Sequence, residues 1–282
     1  MRKGLVLEGG ALRGLFTAGV MDVMMEQGIT FDGLVGVSAG AAFGCNYKSR
    51  QPGRVIRYNK RFAKDWRYCS VKSLLKTGDM FGADFDYHVV PDELDVFDGE
   101  TFDANPMAFY AVCTDMYTGQ PVYKLLMKHG KDFNEWIRAS SSMPLAARVV
   151  DIDDREYLDG GISDSIPLKF FEESGYDRNV VVLTQTEGYV KKPNRLMPLI
   201  RLSLRAYPEF VETAAKRHVM YNAELEYVRK REAEGKAFVI RPAQKLPIKH
   251  TCHNPETMQQ VYDEGRKTME ARMAELKAFL SK

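Results

Sequence analysis

Two short patterns near the N-terminus carry residue types suited to nucleophilic chemistry. Gly36-Val37-Ser38-Ala39-Gly40 reads Gly-x-Ser-x-Gly and lies between an apolar run at 34–37 and a small-residue stretch at 39–48. A serine on a sharp strand-to-helix turn holds strained dihedrals that push its Oγ clear of the backbone. The turn brings the positions two before and two after the serine into contact, and Gly36 and Gly40 fill them. A helix starting at Ala39 points its N-terminal N–H groups at the site and favours negative charge there. Composition alone produces this pattern in about one chain of this length in ten, so its weight comes from its place between strand and helix. An N-capping serine in an ordinary glycine-rich turn is the competing reading.

The second pattern is Glu8-Gly9-Gly10-Ala11-Leu12-Arg13-Gly14. Gly9, Gly10 and Ala11 lack bulky side chains, so a turn there exposes consecutive N–H donors that hold an oxyanion or a phosphate. Dinucleotide binding needs Gly-x-Gly-x-x-Gly and an acid ending the second strand, and neither is present. A phosphate-binding Gly-Lys-Ser/Thr loop is also missing. Arg13 either fixes the loop or meets an anionic group; a solvated charge is an equal alternative.

A serine nucleophile needs a proton acceptor. His88, His129, His218, His250 and His253 lie in no glycine-bounded turn and read as ordinary surface or core histidines. Asp159, followed by Gly160 and Gly161, stands at the end of a short strand where the chain turns back sharply. An ordinary aspartate is a weak base for a hydroxyl, but burial beside an apolar substrate raises its pKa.

The elements that position these residues follow from hydrophobic spacing. A buried strand is expected at 3–7, a helix at 15–27 closed by Gly28, a strand at 34–37 and a helix at 39–48, which together form a βαβ unit. Neighbouring strands bring the loop after Leu7 and the turn at Ser38 to one sheet edge. Further strands are expected at 109–113, 148–152, 156–158, 179–184 and 237–241, with helices at 133–141, 167–173, 208–234 and 255–280. The sum is an α/β fold: a three-layer α/β/α sandwich with a mainly parallel sheet over residues 1–185, and a mostly helical extension, 186–282, packed on it.

With these motifs assembled, the chain resembles the patatin-like phospholipase family, whose pattern is a Asp/Glu-Gly-Gly-Gly-x-Arg-Gly loop, a Gly-x-Ser-x-Gly turn and an Asp-Gly-Gly/Ala aspartate. The resemblance covers residues 5–172 and includes Ala139-Ser140-Ser141-Ser142-Met143-Pro144 as the family's Ala-Ser-x-x-x-Pro segment. It implies a Ser–Asp dyad without histidine: Ser38 as nucleophile, Asp159 as base, and an oxyanion hole at Gly9, Gly10 and Ala11. Arg13, Gly14, Gly36, Gly40, Gly160 and Gly161 support the motifs. Ala11 replaces the third glycine, which a donor loop tolerates only at negative φ, and the later Pro-Pro is replaced by Ala146-Ala147. The C-terminal part, with Ile240-Arg241-Pro242, resembles the extra segment of bacterial members. The implied activity is hydrolysis of a lipid or small ester through a serine acyl-enzyme. A Ser-His-Asp esterase or acyltransferase and a noncatalytic lipid-binding module are the alternatives.

Composition sets the remaining expectations. The chain has 282 residues with Lys+Arg 40 against Asp+Glu 38, a balance that calls for no nucleic acid. Its 4 Cys are scattered without Cys-x-x-Cys, and neither a metal-ligand set nor a cofactor motif is present. The opening Met1-Arg2-Lys3-Gly4 and the short apolar run before Glu8 do not read as a signal peptide, so a cytoplasmic protein is expected. Residues 48–76 hold ten Lys/Arg and one acid, and residues 77–105 hold nine acids and no Lys/Arg. Arg54, Arg57, Arg61 and Lys64 form one helical face, Val55, Tyr58, Phe62 and Trp66 another, which suits peripheral contact with an anionic membrane. Mutual neutralisation of the two blocks ranks above it. The segment 66–105 reads as a long loop and a candidate lid over Ser38. Oligomeric state is left open.

Overall fold

Strands and helices alternate along the chain much as the hydrophobic spacing dictates. A computed structural model describes residues 1–281. The chain runs β1 (Lys3–Leu7), α1 (Gly14–Glu26), β2 (Gly33–Val37), α2 (Ala39–Lys48), α3 (Arg54–Phe62) and α4 (Val71–Thr77). A π-helical segment (Phe85–Leu94), α5 (Gly99–Ala104), β3 (Ala108–Asp115), β4 (Pro121–Leu125), α6 (Phe133–Ser141), β5 (Val150–Ile152) and β6 (Arg155–Asp159) follow. The remainder is α7 (Leu168–Glu173), β7 (Arg178–Val182), α8 (Met197–Ser203), α9 (Pro208–Ala233), β8 (Ala237–Ile240) and α10 (Pro255–Ser281).

One sheet orders the strands β5-β6-β3-β2-β1-β7-β8, with β4 also paired to β3. The run from β3 to β8 is parallel, and β4, β5 and β6 pair antiparallel. Side-chain alternation divides its two faces. Leu5, Leu7, Leu34, Phe109 and Val182 pack under α1, α2, α6 and α10, whereas Val6, Val35, Val112 and Val181 meet Phe171 of α7 and Tyr221, Leu225 and Val228 of α9. The result is the α/β/α sandwich, with β8, from beyond residue 186, as its edge strand.

The last helix is locked to the first by close backbone approach. A Cβ added at Gly19 of α1 would lie 2.1 Å from the Tyr262 carbonyl oxygen, and one at Gly265 of α10 would lie 2.0 Å from that of Phe16. The Tyr262 hydroxyl donates to Asp22 Oδ2 at 2.6 Å, and Arg266 forks onto Glu26 at 2.8 Å through both nitrogens.

Three expectations change. The segment 66–105 is not a structureless loop: α4, the π-helical turn and α5 lie in it, and Phe85 packs edge-on to Phe62 at 5.3 Å. Its polar sequence hid these short elements because each buries only one or two side chains. The apolar face of α3 is not free for a membrane, since Val55, Tyr58 and Phe62 are buried in the core. Arg54 and Arg57 both reach Asp95, so part of the basic block is neutralised by the acidic one. The strand expected at 148–152 begins only at Val150, because Arg148 bonds Asp79 through its N–H and Nε. The edge strand β4 was not expected at all. No described helix is long and apolar enough to cross a membrane.

Helical Gly→Ala normally favours a helix by up to ~1 kcal/mol. Gly265→Ala is expected to reverse that sign and cost about 1–3 kcal/mol in urea unfolding, because the methyl group overpacks the crossing. An unchanged midpoint would show that the two helices are not in contact.

Candidate active site

The turn after β2 is built as its glycines demand. Ser38 has φ 55 and ψ −124, a conformation that side chains rarely adopt. A Cβ at Gly36 would lie 2.4 Å from the Gly40 carbonyl oxygen, and one at Gly40 would lie 2.4 Å from that of Leu7. The pinch holds the turn shut and carries α2 back over β1. Ser140 of α6 steadies it from the side: the Ser38 N–H donates to Ser140 Oγ at 3.0 Å, and that hydroxyl donates to the Val112 carbonyl at 2.7 Å.

Sheet register brings Asp159 level with Ser38. Val37 pairs with Val112 of β3, and Cys113 pairs with Asp159 of β6. Because β4 takes the other side of β3 over 110–114, β2 and β6 lie end to end along the same side, β2 up to Val112 and β6 from Cys113, so Asp159 stands next to the point where the chain leaves β2 at Ser38. The Asp159 side chain is 1% exposed, and its Oδ1 accepts the Gly161 N–H at 2.7 Å. Its own N–H donates to the Ser142 carbonyl at 2.8 Å. Burial pushes the carboxyl above the usual aspartate range; Arg217, the Ser38 hydroxyl, the Gly161 N–H and Lys191 act against the rise. Gly160 packs over the Val112 carbonyl, and the Gly161 carbonyl accepts from Arg217 Nε at 2.5 Å.

The Glu8–Gly14 loop lies against the same turn, with Gly9 packed on Ser38 and Val37. Glu8, buried, is its anchor. It accepts the Thr184 N–H at 2.5 Å and the Tyr221 hydroxyl, tying the loop to the end of β7 and to α9. This bond also ends β7 at Val182, short of the expected 184. Ala11 has φ 48, contrary to the expected negative value. The left-handed region costs an alanine about 1–2 kcal/mol; the loop's ends are fixed by Glu8 and by α1, which leaves Ala11 no relaxed alternative. Gly10 touches the Thr184 side chain, and Gly14 packs on Phe43.

Ser38, Asp159, Gly9, Gly10, Ala11 and Arg13 all line one cavity of about 660 Å³. The segment 66–105 supplies another part of its wall, including Met80, Phe81, Asp86 and Tyr87. Cys45 also lines it, but burial pushes its thiol up to about 12, so it does not compete as a nucleophile. Of the five histidines only His250 lines it, among the described residues. Arginine has only donors, so its 2.6 Å contact from Arg13 Nη1 to His250 Nε2 makes that imidazole the acceptor, in its neutral form. Burial and then Arg13 lower the His250 pKa, in agreement.

Sequence reasoning missed several supporting side chains. Thr184, Tyr221, Lys191 and Arg217 stand far from any motif, two of them on a long charged helix whose pattern gives no hint that it faces a cavity. It also missed the Asp164–Glu224 pair behind Asp159. Glu224 of α9 accepts the N–H groups of Ser165 and Ile166 at 3.2 Å, and Tyr123 donates to Asp164 Oδ2 at 2.6 Å. Burial raises both carboxyls, and their mutual repulsion raises Glu224 further.

A mostly parallel sheet between two helical layers, with a glycine-pinched serine turn, a glycine loop beside it and a buried aspartate at one edge, defines an α/β/α sandwich protein. A model of the patatin-like phospholipase family matches residues 5–171, and one of a domain of unknown function (DUF6363) matches 207–281. The chain belongs to the patatin-like phospholipase family. It is 32% identical over 240 residues to the uncharacterised protein YjjU of Escherichia coli K12, covering 75% of this chain and 65% of that one. It is 26% identical over 181 residues to lysophospholipase nte1 of Aspergillus oryzae, covering 62% of this chain and 11% of that one. Both spans fall short of two thirds of the relative. The crystal structure of VipD from Legionella pneumophila aligns over 96% of this chain and 67% of that one, with a TM-score of 0.44 and 12% identity.

Ser140→Ala leaves a buried N–H and a buried carbonyl without their shared partner. It is expected to cost about 1–3 kcal/mol in urea unfolding; wild-type stability would contradict this bracing. The Asp164–Glu224 pair has raised folded pKa values, so its contribution is complete at acid pH and fades as pH rises above the usual carboxylate range. Stability measured against pH is expected to fall less steeply there in Glu224→Gln. An identical slope would place the pair outside this linkage.

Proposed function

We propose that the protein is a lipid acyl hydrolase working through a Ser38–Asp159 dyad. The observation that carries this reading is the convergence of a strained Ser38 turn and a buried Asp159 along one side of β3, in one cavity with the Gly9–Ala11 loop. The name of the lysophospholipase relative and the family description support an ester of a lipid as substrate.

Ser38 Oγ attacks the ester carbonyl while Asp159 takes its proton. N–H groups of Gly10 and Ala11 receive the charge developing on the carbonyl oxygen, and the N-terminus of α2 adds its field. The C–O bond to the alcohol breaks, Asp159 returns the proton to the leaving oxygen, and the acyl group stays on Ser38. A water molecule, deprotonated by Asp159, attacks the acyl carbon; its bond to Ser38 Oγ breaks, Asp159 returns the proton to that oxygen, and the fatty acid leaves. Burial of Asp159 serves this cycle, since it brings the carboxylate closer in basicity to the hydroxyl. The neutral His250, occupied by Arg13, is not needed as a base.

Labelling with a fluorophosphonate is expected on wild type and not on Ser38→Ala. Asp159→Asn is expected to lower ester hydrolysis about a hundredfold or more. A folded Ser38→Ala that hydrolyses esters normally would end the proposal, and absence of label on wild type would favour a noncatalytic lipid-binding module. The pH profile of kcat/KM is expected to fall on the acid side through one group titrating above the ordinary aspartate range. Because the Arg217 cation favours ionised Asp159, Arg217→Gln is expected to move that limb to higher pH. A limb that stays in place would detach it from Asp159.

A further inference from the structure

The short helix α8 carries more apolar residues than it buries. Ile200 turns inward to the cavity, and Met197 and Leu204 pack against the cluster that holds Phe210 and Ala214 of α9. Leu196, Leu199 and Leu202 stay 56%, 51% and 67% exposed. Their three-residue spacing makes them neighbours on the outer side. A helix that is apolar on both sides belongs in a protein interior or against lipid. The apolar face of α3 meets that rule by burial in the core, whereas the outer leucines of α8 are left bare.

The chain around these leucines is basic. Residues 188–208 include Lys191, Lys192, Arg195, Arg201 and Arg205 and neither Asp nor Glu. All but Lys191 are exposed, and among the described residues none of them has a carboxylate within ion-pair distance. Of the acids at either end, Glu187 is taken by Arg229 and Arg241, and Glu212 by Lys216. Glu209 remains, and the balance stays positive. A two-fold contact between copies through this face would set each group of cations against its twin. A nucleic acid would satisfy the cations but leave the leucines in water. An anionic lipid surface serves both.

We infer that α8 and the residues flanking it form a docking surface for an anionic lipid bilayer. Leu199 and Leu202 enter the boundary between headgroups and acyl chains, while Arg201 and Arg205 stay at headgroup level with their stems along the apolar surface. The negative surface potential draws the basic stretch toward it. Leu196 is both half-exposed and part of the cavity lining, as is the exposed Asn194, so this surface adjoins the cavity opening. Helix α8 lies between the two matched segments, 5–171 and 207–281, and belongs to neither. Docking of this kind does not depend on the reaction at Ser38.

Vesicle flotation of the full chain carrying Ser38→Ala tests this with hydrolysis kept out of the measurement. The protein is expected to bind phosphatidylcholine vesicles that contain phosphatidylglycerol about tenfold or more tightly than vesicles of phosphatidylcholine alone. Adding Arg201→Gln with Arg205→Gln is expected to weaken that binding about tenfold or more. Leu199→Ser with Leu202→Ser is expected to do the same by removing the inserted apolar area. None of these four side chains lines the cavity, and an unchanged Tm is expected in both double variants. Equal binding to the two kinds of vesicle, or undiminished binding in either double variant, overturns the surface. A dimer in sedimentation that Leu199→Ser with Leu202→Ser turns into a monomer would assign the face to a second copy of the chain and overturn it as well.

Discussion

Everything at the sheet edge depends on one steric constraint: the chain reverses so tightly after β2 that two α-carbons can carry no side chain. The Gly36–Gly40 contact forces Ser38 to φ 55, and that conformation lifts its hydroxyl off the sheet. A strained residue persists only where its surroundings over-determine it. Here the surroundings are a buried serine on α6 that binds the Ser38 N–H, and the β1 carbonyl on which Gly40 rests. The neighbouring loop repeats the device, with Ala11 at φ 48 between a buried Glu8 and the first helix.

Parallel pairing turns these local strains into a site. β1 and β2 run side by side, so their following turns share an edge, and the antiparallel β6, pairing with β3 where β2 leaves off, brings Asp159 back to the same level beside Ser38. Burial then sets the electrostatics: a carboxyl with almost no exposure rises in pKa, and the Arg217 and Lys191 cations act against the rise. The C-terminal region participates throughout. Its α9 supplies Tyr221 to Glu8, Glu224 to the turn after Asp159 and Arg217 to the cavity, and its α10 clasps α1 through the Gly19–Gly265 crossing.

Much of this was legible in the sequence, for a physical reason. Glycine pinches and strand-to-helix turns are local, so Gly36–Gly40, Asp159-Gly160-Gly161 and the first four elements appear where spacing puts them. The long helices at 208–233 and 255–281 also follow their apolar stripes. What sequence hid is contact at a distance. The positive φ of Ala11 depends on Glu8 reaching Thr184 and Tyr221, and nothing near Ala11 reports that. Arg217 looks like any solvated helix charge until α9 is laid against the sheet. The short helices between 66 and 105 were hidden too, because their order comes from packing on Phe62 and on Asp79–Arg148, not from periodicity.

The most direct test of the central claim is a crystal structure of the protein after reaction with an alkyl phosphonate. The account predicts a phosphonyl group on Ser38 Oγ, its unesterified oxygen within hydrogen-bond distance of the Gly10 and Ala11 N–H groups, and Asp159 beside the modified oxygen. A phosphonate on Ser38 whose oxygen points away from the Gly9–Ala11 loop, or an Asp159 turned out of the cavity, would contradict it.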